Sequence, residues 1–164
     1  PDFRGIKIYA EKHKGIKQLL KDNPNYRLYG EYLCKHTISY NELSYQHFYL
    51  YDILDESKDE YINPKQAIEL ADKYESKRPE VFFEGIVKDI EKIKKEFVGK
   101  SALGDKGEGV VIKNHTYINK FGRRQYAKIV TEKFVEENNN FEIDRSKERY
   151  IITWNPKGYL KRIS

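Results

Sequence analysis

Five charged side chains interrupt segments whose other residues belong in a buried strand. Glu31 follows Gly30 inside Leu28-Tyr29-Gly30-Glu31-Tyr32-Leu33, and Asp52 follows Tyr51 inside Phe48-Tyr49-Leu50-Tyr51-Asp52-Ile53. Glu108 opens Glu108-Gly109-Val110-Val111-Ile112-Lys113-Asn114, and Lys113 stands near its end; Lys128 sits within Gln125-Tyr126-Ala127-Lys128-Ile129-Val130. A carboxylate or ammonium on a strand built for burial is costly unless it is paired or meets a ligand. Four such strands in one chain predict that the charges converge on a cleft between sheets. The plainer readings stand beside this one: Glu31 as a solvated strand-edge glutamate, Asp52 as a strand cap, Lys113 and Lys128 as lysines reaching out of a strand, Tyr51 as core.

The elements that must carry these groups follow from hydrophobic spacing. Ile6, Tyr9, Ala10, Ile16, Leu19 and Leu20 predict an amphipathic helix over 5–21, ending near Asp22-Asn23-Pro24. Strands are predicted at 26–33 and 47–54, rich in aromatic and branched residues. Asn63 is a natural N-cap with Pro64 at the first helical position, and Ala67, Ile68, Leu70, Ala71 and Tyr74 form the inward stripe of that helix. A short strand at 81–83 precedes a helix carrying Ile86, Val87, Ile90, Ile93 and Phe97, whose wet face takes Lys92, Lys94 and Lys95. A small-residue loop over 99–107 leads to a strand at 109–113, a hairpin turn at 119–124 and a return strand at 125–130. Past the run Glu136-Glu137-Asn138-Asn139-Asn140 the pattern weakens, with a last strand at 149–154. Strands punctuated by helices and hairpin turns make an α+β fold with antiparallel sheets flanked by helices.

Composition narrows the partners. The chain has 164 residues with 31 Lys and Arg against 26 Asp and Glu, a net charge of +5 that permits an anionic partner such as a nucleic acid or nucleotide without demanding one. With 38% hydrophobic and 14% aromatic residues there is material for a core, which excludes a disordered polyelectrolyte. No apolar run is long enough to cross a bilayer, so no membrane partner and a cytoplasmic location are expected. One cysteine, Cys34, excludes an intrachain disulfide and a Cys-rich zinc site and reads as a small core hydrophobe. Neither a P-loop nor a Rossmann fingerprint is present, so a nucleotide must bind through the cleft or not at all.

Taken in order, LYGEYL, FYLYDI, EGVVIKN and AKIVTEKF resemble motifs III, IIIa, IV and V of the covalent nucleotidyltransferases, the polynucleotide ligases and mRNA capping enzymes. Within them the chain is most similar to the ATP-dependent RNA ligases of the phage and viral type-2 branch, since Tyr29-Gly30-Glu31 replaces the Asp-Gly-Glu usual in DNA ligases and capping enzymes. The resemblance covers about residues 3–137 and implies a partial, ATP-grasp-like adenylation domain, followed by a tail at 138–164 of unknown identity. It implies three steps: a lysine attacks the ATP α-phosphate, AMP passes to an RNA 5′-phosphate, and a 3′-hydroxyl displaces AMP. ATP (bound as AMP in the intermediates) and Mg²⁺ are then the cofactors, and RNA ends or nicked RNA the partner. Catalysis would fall to Glu108, Lys113 and Lys128, with Glu108 holding the metal. Glu31 would meet the ribose hydroxyls, Tyr51 would pack on adenine with Asp52 as its polar neighbour, and Lys113 and Lys128 would take phosphate.

Two departures qualify the resemblance. Val130 stands where motif V commonly has a second lysine, and Lys133 would point to the other face of a continuing strand. No Lys-x-Asp-Gly is present; the nearest look-alike, at Lys12, stands too close before Glu31 and inside the first helix. The nucleophile is therefore expected in an upstream segment or a second chain, this one being a fragment, a split protein or a degenerate paralogue unable to self-adenylate. Two alternatives remain: a catalytically inactive nucleotide- or RNA-binding module, and a DNA ligase or capping-type enzyme. The basic turn of Lys120, Arg123 and Arg124 is a secondary candidate for RNA phosphates, equally readable as a solvated turn; His36 is another, though a loop histidine is more often plain surface, and Trp154 with Tyr150 and Tyr159 is a candidate for stacking on a base, though packing is the commoner use of such residues.

Overall fold

The computed structural model describes residues 3–35, 41–97, 109–116, 126–130, 135–137, 150–154 and 159–163. The chain divides into two compact units, residues 1–79 with 157–164 and residues 80–156. Each holds one antiparallel sheet with its own helices, the α+β class that the alternating spacing predicts.

The first unit starts with helices α1 (Ile6–Lys12) and α2 (Lys14–Asp22). The single helix expected over 5–21 is thus broken at His13, which is extended (φ −75°, ψ 102°) and accepts a hydrogen bond from Ile16 N–H on Nδ1 at 3.1 Å. The apolar spacing runs on through the break, so periodicity does not show it, and imidazole is not among the favoured capping side chains. Helix α3 (Pro64–Lys73) starts as expected, with Asn63 Oδ1 accepting from Lys65 N–H at 2.9 Å. It ends where Glu75 turns to φ 55° and Ser76 N–H bonds back to the Ala71 carbonyl at 2.8 Å, closing the last turn. Gly15 lets α2 meet this end of α3: a Cβ there would stand 1.7 Å from the Tyr74 carbonyl oxygen. Tyr74 Oη donates to Asp22 at 2.7 Å, and this bond, reinforced by Gln18, holds the Asp22 carboxyl below its usual range.

The first sheet has the order β3 (Glu60–Tyr61), β2 (Phe48–Asp55), β1 (Tyr26–Tyr32) and β9 (Tyr159–Ile163). Leu28, Tyr32, Phe48, Leu50 and Ile53 project onto Ile16, Leu19, Ala67 and Ala71, so the helices cover one sheet face and build the core there. Cys34 is half-buried and packs against this cluster.

The second unit has the order β4 (Val81–Gly85), β8 (Tyr150–Trp154), β5 (Gly109–Asn114), β6 (Tyr126–Val130) and β7 (Val135–Glu137). Its helix α4 (Ile90–Phe97) begins later than Ile86 because Asp89 caps it, Oδ1 accepting from Glu91 N–H at 2.9 Å. Ile93 and Phe97 of α4 join Val87, Val110, Ile112 and Ile152 in the core. The β4–β8 register slips between Val81 and Phe83, and both Phe82 and Phe83 pack on Phe97, with ring centroids 5.9 and 6.4 Å away. The strand expected at 149–154 is present but not last: β9 follows it, and β8 lies between β4 and β5. The loop at 99–107 and the turn at 119–124 lie outside the described residues.

Candidate functional site

In the first unit the candidate groups gather where β1 and β2 pair irregularly. Tyr29 faces Asp52, Gly30 faces Leu50 and Glu31 faces Tyr49, so Tyr51 is the extra residue of a β-bulge. Gly30 allows this closeness through lack of a side chain: a Cβ would stand 2.1 Å from the Tyr49 carbonyl oxygen and 2.7 Å from Phe48 Cζ. Its parity with Leu28 and Tyr32 puts Gly30 on the helix-covered face. Arg27, Tyr29 and Glu31 fall on the other face, together with Tyr49, Asp52 and Leu54 of β2. Glu31 and Asp52 therefore share a face, and both are half-buried. Without the bulge, Asp52 would pair one position away and its alternation would be reversed.

The neighbours keep this face ordered. Tyr49 is buried and its Oη donates to the Ser44 carbonyl at 3.1 Å; burial pushes its phenol up to about 12, so it stays neutral beside Glu31. Tyr29 lies against Tyr61 with centroids 5.7 Å apart. Arg27 is ion-paired with Glu56. The segment after α3 closes the side of β2, Leu50 N–H bonding the Lys77 carbonyl at 2.9 Å. Two carboxylates on one half-buried face suit a hard cation that takes its remaining oxygens from phosphate and water. Among the described residues no group of three or more His, Cys, Asp and Glu is assembled.

In the second unit, β5 and β6 carry the candidate cations. Lys113 pairs with Tyr126 and Lys128 with Val111, so the two lysine positions are diagonal neighbours on one sheet face, about 7–8 Å apart at Cα. The Lys113 side chain is half-buried. Glu108 lies outside the described residues, as do His36, Lys120, Arg123, Arg124 and Lys133. Two groups passed over in the sequence enter the Lys113 neighbourhood. Glu84 shares a cross-strand row with Ile151 and Lys113, and the buried His115 has Nε2 3.9 Å from Glu84 Oε1. The slip in β4 hides Glu84 from a simple alternation count, whereas His115 two positions after Lys113 was readable. The structure thus brings Glu31, Tyr51 and Asp52 onto one strand pair and Lys113 and Lys128 onto another, each within its own unit.

A protein-family model described as RNA ligase matches residues 3–130, which takes in β1 to β6 and every candidate residue named above for the nucleotide, metal and phosphate. Comparison with curated proteins and with solved structures finds no match.

Proposed function

Starting from the premise that the chain belongs to the RNA ligase family, we propose that it serves ATP-dependent sealing of RNA 5′-phosphate and 3′-hydroxyl ends. In the first step a lysine Nζ attacks the α-phosphorus of ATP and the bond to pyrophosphate breaks. An RNA 5′-phosphate oxygen then attacks the same phosphorus and frees the lysine. Finally a 3′-hydroxyl oxygen attacks the 5′-phosphorus and AMP leaves. Since residues 1–164 contain no Lys-x-Asp-Gly, the nucleophile is assigned to polypeptide outside this sequence.

Glu31 holds the ribose hydroxyls, Tyr51 packs on adenine and Asp52 supports it. Lys113 and Lys128 neutralise phosphate oxygen, where charge grows as each bond to phosphorus forms. Glu108 is the metal ligand of the reading. Bound Mg²⁺ would supply charge neutralisation at the phosphates. The observation that supports the reading most directly is the common face of Glu31 and Asp52, with Tyr51 in the bulge between their strands. A polar pair on a strand ladder whose other face is solid core is what a nucleoside needs: hydroxyl acceptors beside an aromatic ring.

The third step needs no lysine nucleophile, which allows a test on the chain as it stands. Given 5′-adenylated RNA, a 3′-hydroxyl RNA strand and Mg²⁺, the chain is expected to seal the ends, and Glu31→Ala or Lys128→Ala to lower the rate by about a hundredfold each. Given α-labelled ATP alone, it is expected to form no lysine–AMP adduct. RNA binding without sealing would replace this reading by that of a non-catalytic binding module. Preferential sealing of DNA, or preference for GTP, would move the chain to the DNA ligase or capping branch.

A further inference from the structure

We propose that Tyr126 is a further RNA-binding residue of this chain and stacks on the base of the 5′-terminal RNA nucleotide, while Lys113, its cross-strand partner, meets the phosphate of that nucleotide. The inference rests on the proposed sealing reaction. In 5′-adenylated RNA the terminal phosphate is bonded to the phosphate of AMP, so the first RNA nucleotide must lie beside whatever holds that linkage. Tyr126 opens β6 and pairs with Lys113 of β5. Residues paired across an antiparallel ladder share a sheet face, with Cα atoms about 4.5–5.5 Å apart. Val110 and Ile112 of β5 belong to the core with Ile152, so Lys113 and Tyr126 stand on the opposite face. The core therefore does not use this ring, and Tyr126 is 47% exposed.

Exposure and charge together single this ring out. Four large apolar side chains are exposed among the described residues: Ile8, Leu43, Tyr61 and Tyr126. Of these the two tyrosines offer a flat π-face on which a base can stack. Tyr61 lies against Tyr29 and follows Asp59 and Glu60, and Glu60 pairs with Asp55, so a phosphate drawn there would meet carboxylates. Tyr126 instead has a lysine directly opposite, and Lys128 is placed two residues along the same strand on the same face. A ring for the base beside cations for the backbone is the arrangement that holds single-stranded nucleic acid. Stacking tolerates every base, so the subsite accepts a 5′ end of any sequence. In the sequence Tyr126 reads only as one more aromatic strand residue, because its place opposite Lys113 comes from the β5–β6 register.

The test measures equilibrium binding of a 5′-adenylated RNA oligonucleotide with a blocked 3′ end, and of the same oligonucleotide with an abasic first nucleotide. Both are offered to the full chain, to Tyr126→Ala and to Tyr126→Phe, with ATP binding and thermal unfolding measured beside them. For the wild-type chain the missing base is expected to weaken binding about tenfold. Tyr126→Ala should bind the complete oligonucleotide about tenfold more weakly and be indifferent to the missing base, with ATP affinity and salt dependence unchanged. Tyr126→Phe should behave as wild type, since the ring and not the hydroxyl does the stacking. Equal wild-type affinity for the two oligonucleotides overturns the role of Tyr126 and leaves the sealing reaction standing, as does a Tyr126→Ala chain that still discriminates tenfold, which places the base elsewhere. A lower unfolding temperature in Tyr126→Ala with that discrimination intact overturns it too and marks the ring as packing. ATP binding that falls in step with RNA binding overturns it by assigning the ring to the nucleotide. Failure of the wild-type chain to bind the adenylated RNA at all overturns this inference together with the reading beneath it.

Discussion

Replacing Gly30 with alanine probes the one place where backbone closeness, strand register and the candidate site meet. The added Cβ would stand 2.1 Å from the Tyr49 carbonyl oxygen, where ordinary contact starts near 3.4 Å, so β1 and β2 would have to part by 1.3 Å at the bulge. Phe48 Cζ, at 2.7 Å, belongs to a fully buried ring with little room to swing away. Overpacking of this kind costs about 1–3 kcal/mol, and stretching a ladder hydrogen bond adds about 1 kcal/mol. The expected loss is therefore about 3 kcal/mol, or roughly 6–12 °C in unfolding temperature for a chain of this size. Urea unfolding followed by far-ultraviolet circular dichroism, with calorimetry beside it, reads the loss directly. ATP affinity should fall as well, because Glu31 and Tyr51 move with the strands. A Gly30→Ala chain within about 0.5 kcal/mol of wild type, with unaltered ATP binding, would refute the idea that closeness at Gly30 holds the bulge.

Three further outcomes are expected. Burial first, then the charges of Lys77 and His13, lower the pKa of His47. The unfolded chain therefore takes up the His47 proton before the folded one, and stability should fall as pH drops below about 6.5. His47→Gln should flatten that slope in unfolding temperature measured between pH 7.5 and 5, and an unchanged slope would count against it. Substituting His13 by Ala should cost about 1 kcal/mol more than substituting it by Asn, because only Asn can still accept from Ile16 N–H; equal losses would show that the cap contributes nothing. A chain cut after residue 137 leaves β4 and β5 without β8 and β1 without β9, so it should aggregate where the full chain stays monodisperse in gel filtration.

Most of the first unit was legible because its signals are local. The Tyr26–Tyr32 and Phe48–Asp55 strands follow from aromatic and branched residues, and the start of α3 from Asn63-Pro64. The break at His13 was not, since an imidazole nitrogen doing a hydroxyl's work leaves no compositional trace. The start of α4 was missed for the opposite reason: Asp89 is an ordinary cap, outvoted by the apolar Ile86 and Val87. Glu31 and Asp52 could be singled out as misplaced charges, yet that they share a face depends on the slip at Tyr51, which no alternation count contains. The place of Tyr159–Ile163 beside β1 was illegible because it comes wholly from pairing with a strand more than a hundred residues earlier.

That long-range pairing has a consequence for the newborn chain. Translation delivers β4 and β5 well before the strand that fits between them, and β1 well before the strand that lies along its outer side. Until Tyr150–Trp154 leaves the ribosome β4 has no strand to pair with and β5 has one open side, and until Tyr159–Ile163 follows, β1 keeps a bare row of amides and carbonyls. Both sheets stay incomplete until this stretch is made, so pausing or termination within residues 150–163 yields a sticky, chaperone-dependent polypeptide.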